Sequence, residues 1–361
     1  MKFENQYSGL DRAIHRLAFS MINAQVGLAD LEDRLFATSL KKISVNKPVF
    51  ITSLPRAGTT LLLELCVETG LFASHCYRDM PFVLIPLFWE RFSKKFRKPG
   101  VARERAHGDG MLVNEDSAEA FEEIAWKSNW PGKYKNDSII PWGKNFDKDF
   151  AKFLTSHMRK VIYLRKTDAT PGPRYISKNN LNIARFGFLR KTFPDAIFIV
   201  PVREPVSHAQ SLLRQHKNFM GIHGEDVFSK KYMADIGHYD FGENLKPVNF
   251  AQWFDNTAHS SPLTMEFWLD YWLAAFSEMV KQSAEHGIQF VSYQKLCDNP
   301  EQGLAKLSGL LEMDDVTSLA NLSGRITASK ATADPAELVA DKDLLARVHS
   351  LYGELLQRSA I

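Results

Sequence analysis

Cysteine is scarce: Cys66, Cys76 and Cys297 are the only three in 361 residues, an odd number with no C-x-x-C spacing. That excludes a disulfide framework or a cysteine-rich zinc site and suits a reducing compartment. Long apolar runs are missing as well. The nearest candidate, Met80 to Trp89, is ten residues long and broken by Pro81 and Pro86, whereas a membrane-spanning helix needs roughly 18. The opening MKFENQYSGLDRAIHRLAF places polar and acidic residues where a secretory signal needs an apolar core. These absences predict a cytoplasmic chain without a membrane span and leave peripheral membrane contact open. Charge of one sign is lacking too: 45 Lys and Arg face 42 Asp and Glu, a formal charge of +3. So mild an excess gives no reason to expect a nucleic-acid partner.

What is present is enough apolar material for a large core, with 45% hydrophobic and 12% aromatic residues. Residues 10 to 42 carry Leu10, Ile14, Leu17, Ala18 and Met21 at helical spacing and predict a helical preface. Pro48 to Ser53 is a short apolar run, followed by a tight Leu-Pro-Arg-Ala-Gly turn and a helical segment from Thr59 that ends at Gly70. A second strand-helix unit runs from Ala196 to Arg203 and into Val206 to Gln215, and a third from Ile288 to Tyr293 toward a helix capped at Asn299. Thr264 to His286 reads as one long helix with a stripe containing Trp268, Trp272 and Phe276. Short buried strands alternating with helices predict an α/β fold with a P-loop-like, mainly parallel sheet flanked by helices. The expected organisation is a single domain over 1–361: a preface to residue 47, a core over 48–312 with an insertion at about 80–158, and a C-terminal lid and helix over 313–361.

The strongest chemical signal is Ser53-Leu-Pro-Arg-Ala-Gly-Thr-Thr60 at the first strand-to-helix junction. Consecutive backbone N–H groups and a helix N-terminus there form an anion cradle, to which Thr59 and Thr60 add hydroxyls and Arg56 a cation. A Walker motif would place glycine at Ser53 and lysine at Thr59, so the segment fails as an ATP-type P-loop. It resembles instead the 5′-phosphosulfate loop, P-[KR]-[SA]-G-T-T, of sulfotransferases that use 3′-phosphoadenosine-5′-phosphosulfate. Arg203 followed by Ser211 resembles that family's 3′-phosphate pair, and Ser177-Lys178-Asn179 and Val291-Ser-Tyr-Gln-Lys-Leu296 resemble further core segments. Gln294 stands where the family usually has an acid. The likeness extends over about 48 to 312 and is greatest to bacterial members and to the carbohydrate and tyrosylprotein branches.

The resemblance implies donor binding by Arg56, Ala57, Gly58, Thr59, Thr60, Arg203, Ser211 and Tyr293, with no metal required. It implies sulfuryl transfer to a hydroxyl on a small molecule or glycan, a carbohydrate or other alcohol. Arg56 and Lys178 would stabilise charge on the bridging oxygen, and Asp79 would be the base, with His75, Glu122 and Glu123 as rivals. Trp126, Trp130, Trp142 and Trp253 are read first as core and second as sugar-stacking faces. His208, His216, His223 and His238 lack metal-ligand spacing and read as packing residues. Arg325 and Lys330 are candidates for the lid. The alternatives are an ATP-dependent P-loop kinase and a non-catalytic nucleotide-binding protein; acceptor and oligomeric state are left open.

Overall fold

The computed structural model describes residues 9–94, 103–104, 112–113, 115–170, 172–256, 261–326, 339 and 341–361. Strands β1 (Val49–Ile51), β2 (Phe72–Ala73), β5 (Arg174–Lys178), β6 (Ile197–Val202) and β7 (Ile288–Ser292) form one sheet in the order β2-β5-β1-β6-β7. Every pairing in it is parallel. A separate antiparallel pair, β3 (Arg103–Glu104) and β4 (Leu112–Val113), lies in the insertion.

Alternation along the central strands explains why both faces are covered. Val49 and Ile51 of β1, with Ile197 and Ile199 of β6, pack beneath helices Thr59–Glu68 and Pro300–Leu310. Phe50, Phe198 and Val200 point the other way, into a larger core with helices Lys148–Arg165, Pro205–Glu225 and Met265–His286. Each strand therefore buries both sides, and its residues are apolar without interruption.

Helix Lys148–Arg165 runs across the expected insertion boundary at about 158, and Leu154, Met158, Val161 and Ile162 along it are fully buried core residues. The long helix before β7 ends as its sequence indicates, with Gly287 left-handed at φ 64°. Asn299 sits at the cap of helix Pro300–Leu310, yet its side chain makes no capping hydrogen bond.

β1 has β5 on one side and β6 on the other, so the chain leaves β1 toward one edge of the sheet and later returns to build the other edge. The helices that follow β1 and β6 pack on opposite faces of the sheet, so the carboxyl ends of these strands are a topological switch point, the place where open α/β sheets form their ligand crevice. In register, Ile51 pairs with Lys178 of β5 and with Ile199 of β6. The loop after β1 thus lies between Lys178 and the turn carrying Arg203.

Candidate active site

The 53–58 loop is clamped to its neighbours before its cradle is formed. Thr52 N–H donates to Ile199 O at 3.0 Å, and Ser53 Oγ donates to Pro201 O at 2.8 Å. His208, buried in the following unit, donates from Nε2 to Pro55 O at 2.7 Å. Burial, assisted by the Arg203 and Arg56 charges, brings its pKa down to about 3 and keeps the ring neutral for that bond. Arg56 then adopts a left-handed φ of 71° and Gly58 one of 92°. Left-handed backbone is uncommon for a residue with a side chain, and strain of that kind concentrates at binding loops. Helix Thr59–Glu68 starts immediately afterwards, so its first-turn N–H groups, which have no acceptor within the helix, face the crevice mouth.

Cations converge on this loop. Arg56 Nε lies 3.4 Å from Ser211 Oγ, and Arg203 Nη1 donates to Arg56 O at 3.3 Å. Arg203 also sits over the Tyr293 ring at 5.8 Å, and its Nε is buried with no hydrogen bond among the described residues. Burial lowers the Arg203 pKa; Tyr293 opposes that, and the charges of Arg56 and Arg214 add to it. A guanidinium remains protonated regardless. Two half-buried guanidinium groups side by side, one with a buried unsatisfied Nε, suit a multiply charged anion. Tyr293 closes the cradle from above: a Cβ at Gly58 would stand 2.6 Å from its ring, so only glycine fits beneath it.

The structure therefore brings Arg56, Gly58, Thr59, Arg203, Ser211 and Tyr293 to one crevice. Lys178 lies across β1 from Arg203, at the end of β5, in different company. Its charge acts on His238, whose Nε2 is 3.7 Å from Asp240 Oδ2, and Asp240 also accepts from Asn180 Nδ2 at 2.9 Å. Burial lowers the His238 pKa below its usual 6.5, with Asp240 opposing and Lys178 adding to the shift. Glu119, which accepts a 2.5 Å hydrogen bond from Tyr77 Oη, is close enough to influence the same ring. Of the four histidines read as packing residues, His238 alone keeps this company; His216 and His223 accept backbone N–H bonds from Gly242 and Glu243 through Nδ1.

Asp79, the expected base, is buried and fully engaged. Its carboxylate is only 3% exposed, accepts a 3.1 Å bond from the Cys76 N–H, lies 3.0 Å from His75 Nδ1 and pairs with Arg165. Burial alone would raise its pKa, but the His75 hydrogen bond and the Arg165 charge outweigh it and hold the group well below the usual carboxylate range. A carboxylate so held is a weak proton acceptor and serves as a buried anchor for helix Lys148–Arg165.

Its rivals are engaged in the same way. His75 is buried between Asp79 and His157. Glu122 accepts from Tyr175 Oη at 3.0 Å. Glu123 takes two bonds from Arg185, at 3.0 and 2.8 Å, and one from Asn179 at 2.8 Å. That buried pair fixes the residue next to Lys178 and thereby the end of β5.

Trp126 and Trp142, set edge to face and fully buried, form a corner that holds the Arg185 guanidinium 4.2 and 4.4 Å from their ring centres, so both are core, not sugar faces. Trp130 is half-buried against Trp142, and Trp253 donates to Asp270 at 2.7 Å while stacked on Tyr271. Arg325 pairs with Glu64 and Glu68 on the helix after the loop; Lys330 lies outside the described residues. Among the described residues no group of three or more His, Cys, Asp or Glu side chains is placed to hold a metal ion.

A family model described as Sulfotransferase family matches residues 48–240, more than half of the chain, and spans the cradle, Lys178, Arg203 and His238. The chain belongs to the sulfotransferase family. Among solved structures it is similar to the sulfotransferase STF9 from Mycobacterium avium, at 13% identity and a TM-score of 0.52, covering 92% of this chain and 81% of that one. The sulfotransferase STF1 from Mycobacterium tuberculosis H37Rv also matches, at 12% identity and a TM-score of 0.45, over 90% of this chain and 81% of that one. No curated protein sequence matches at a significant level. At 13% identity the STF9 structure speaks for the shared fold alone, and the family assignment rests on the family model. In this sulfotransferase no helix among the described residues is long and apolar enough to cross a membrane.

Proposed function

We propose that this sulfotransferase takes its sulfuryl group from 3′-phosphoadenosine-5′-phosphosulfate and passes it to an alcohol hydroxyl, such as one on a carbohydrate. The observation that supports the donor reading is the convergence of two guanidinium groups on the 55–60 cradle: Arg56, whose Nε lies 3.4 Å from Ser211 Oγ, and Arg203, whose Nη1 donates to Arg56 O and whose Nε is buried and unsatisfied among the described residues. A donor with phosphate groups on the 3′ and 5′ positions of one ribose matches such a cluster of cations; a simple ATP site would need a lysine where Thr59 stands.

In this reading the 55–60 backbone, Thr59 and Thr60 hold the 5′ end, Arg203 and Ser211 hold the 3′-phosphate, and Tyr293 covers the glycine turn. The donor supplies an activated sulfuryl group, and the protein contributes position and charge. Arg56 lies on the leaving-phosphate side and Lys178 on the opposite side of β1, where a cation stabilises charge on the bridging oxygen. Burial and Lys178 lower the His238 pKa and so favour the neutral ring, the form able to accept the hydroxyl proton, with Asp240 Oδ2 3.7 Å from its Nε2. His238 thus replaces Asp79 as the proposed base. An alkyl alcohol needs such a base more than a phenol does.

Incubation with donor labelled in the sulfuryl group, against a panel of sugars, alkyl alcohols and phenols, tests the reading. Label transfer to alcohols supports it. Donor binding with no transfer to any class favours the nucleotide-binding alternative, and phosphoryl transfer from ATP would favour a kinase.

A further inference from the structure

The N-terminal preface carries a feature that the donor site does not use. Helices Gly9–Ser20 and Ile22–Leu35 meet at Met21, whose backbone departs from helical angles at φ −106° and ψ 21°, yet whose N–H bonds to Leu17 O at 3.2 Å and whose carbonyl accepts from Gln25 at 3.0 Å, so the helical hydrogen bonding spans the joint. One side of this rod is fastened to the body. Ala18, Gln25 and Ala29 are buried, and Glu32 accepts from Phe88 N–H and pairs with Lys160 at 3.0 Å. The adjacent side is apolar and exposed. Leu10, Leu17, Ala24 and Leu31 recur every seven residues, as do Ile14, Met21, Leu28 and Leu35 between them. Leu10 is 69% exposed, Leu17 56%, Leu31 44% and Leu35 66%.

Alternating steps of three and four, sustained for nearly four heptads, make a coiled-coil seam about 39 Å long. A seam of this kind demands another helix with the same period. A lipid surface imposes no seven-residue repeat and calls for a basic polar face, but here Arg12, Arg16 and Arg34 are interspersed with Asp11, Asp30 and Asp33. Beside the seam stand Ala13, Ser20 and Gly27, which let a partner backbone approach closely. A second copy of the chain brings an identical seam, and identical seams are self-complementary about a two-fold axis. We infer that residues 10–35 form a homodimer interface in which the seams of two copies pack as a coiled coil.

Sedimentation of the full-length protein from about 1 to 100 μM tests this, with Leu17→Glu/Leu28→Glu as the disrupting variant. The wild type should dimerise, and the variant should be at least about tenfold weaker in self-association with an unchanged far-ultraviolet spectrum. Cross-linking provides a second readout, since the three native cysteines are buried and an introduced thiol on the seam is exposed. Leu17→Cys alone should form an oxidised dimer if the helices run parallel; Leu17→Cys mixed with Leu28→Cys should do so if they run antiparallel. A wild type that stays monomeric throughout would overturn the inference. So would a dimer indifferent to both glutamates, or a monomer whose seam binds phosphatidylcholine/phosphatidylglycerol vesicles.

Discussion

Gly58 is where the proposed donor site tolerates least change, and two separate costs of a methyl group there can be read from the structure. The backbone is left-handed at φ 92°, which costs an L-residue about 1–2 kcal/mol. The added Cβ would also meet the Tyr293 ring at 2.6 Å, against an ordinary contact of 3.4 Å or more, so the ring must withdraw by about 0.8 Å. That ring lies beside Arg203, so its retreat should loosen both anion sites together. Gly58→Ala should weaken adenosine 3′,5′-bisphosphate by about 10- to 100-fold, that is 1.4–2.8 kcal/mol. Gly70 supplies the control: at φ 75° with nothing within 4 Å of a built Cβ, Gly70→Ala meets the backbone cost without the clash. It should lose stability and keep its affinity. Titration calorimetry on Gly58→Ala, Tyr293→Ala and the double variant completes a cycle, in which removing the ring relieves the clash and the losses fall short of additive by about 0.5–3 kcal/mol. Wild-type affinity in Gly58→Ala, or equal losses in the two glycine variants, would refute the reasoning.

Three further outcomes follow from the site. Lys178→Ala should lose about 10²–10³ in kcat with little change in donor affinity, measured by single-turnover transfer; an unchanged chemical step would return this lysine to the surface. A base must be neutral to act, and the His238 pKa is lowered from 6.5, so wild-type activity should be level above that pH and fall only in more acid solution. His238→Gln should lose that acid limb along with most of the rate; a limb that survives the substitution belongs to another group. Asp79→Asn should leave donor affinity intact and cost stability, about 3–5 kcal/mol for a buried pair broken at one partner. Because the folded Asp79 pKa is depressed, its contribution is fully present above the ordinary aspartate value of about 3.9 and is lost as pH falls below it. Urea unfolding at pH 7 and pH 3 should show the wild-type advantage shrinking, and a constant gap would contradict that account.

The parts of this fold that were legible in the sequence are those written in local spacing. The 49–68 and 197–225 units announce strand, turn and helix by an apolar run, a punctuating Pro or Gly and a helical period, and the crevice residues Arg56, Gly58, Arg203 and Ser211 come from them. β5 is less visible because Arg174-Tyr-Ile-Ser-Lys178 has charges at both ends and only a short apolar middle. Helix Lys148–Arg165 was hidden by the polar residues on its outer face, although its Phe150, Leu154, Met158 and Val161 keep a helical period.

The surroundings of Asp79 were illegible for a different reason. Its position after the first helix suits a base, but the partner that holds its carboxylate is Arg165, 86 residues away, and no spacing rule carries a partner at that distance. Lys178, Asp240 and Glu119 gather around His238 for the same reason, through the packing of separate segments. A histidine two residues before an aspartate was the only local hint.

The claim that this crevice is a two-ended donor site is tested most directly by calorimetry with adenosine 3′,5′-bisphosphate and with adenosine 5′-monophosphate on the wild type and on Arg203→Ala. Charge-assisted hydrogen bonds contribute about 1.5–3 kcal/mol each, so the variant should bind the bisphosphate at least about tenfold more weakly while its affinity for the monophosphate scarcely changes. Equal losses for both ligands, or no preference of the wild type for the bisphosphate, would contradict the account.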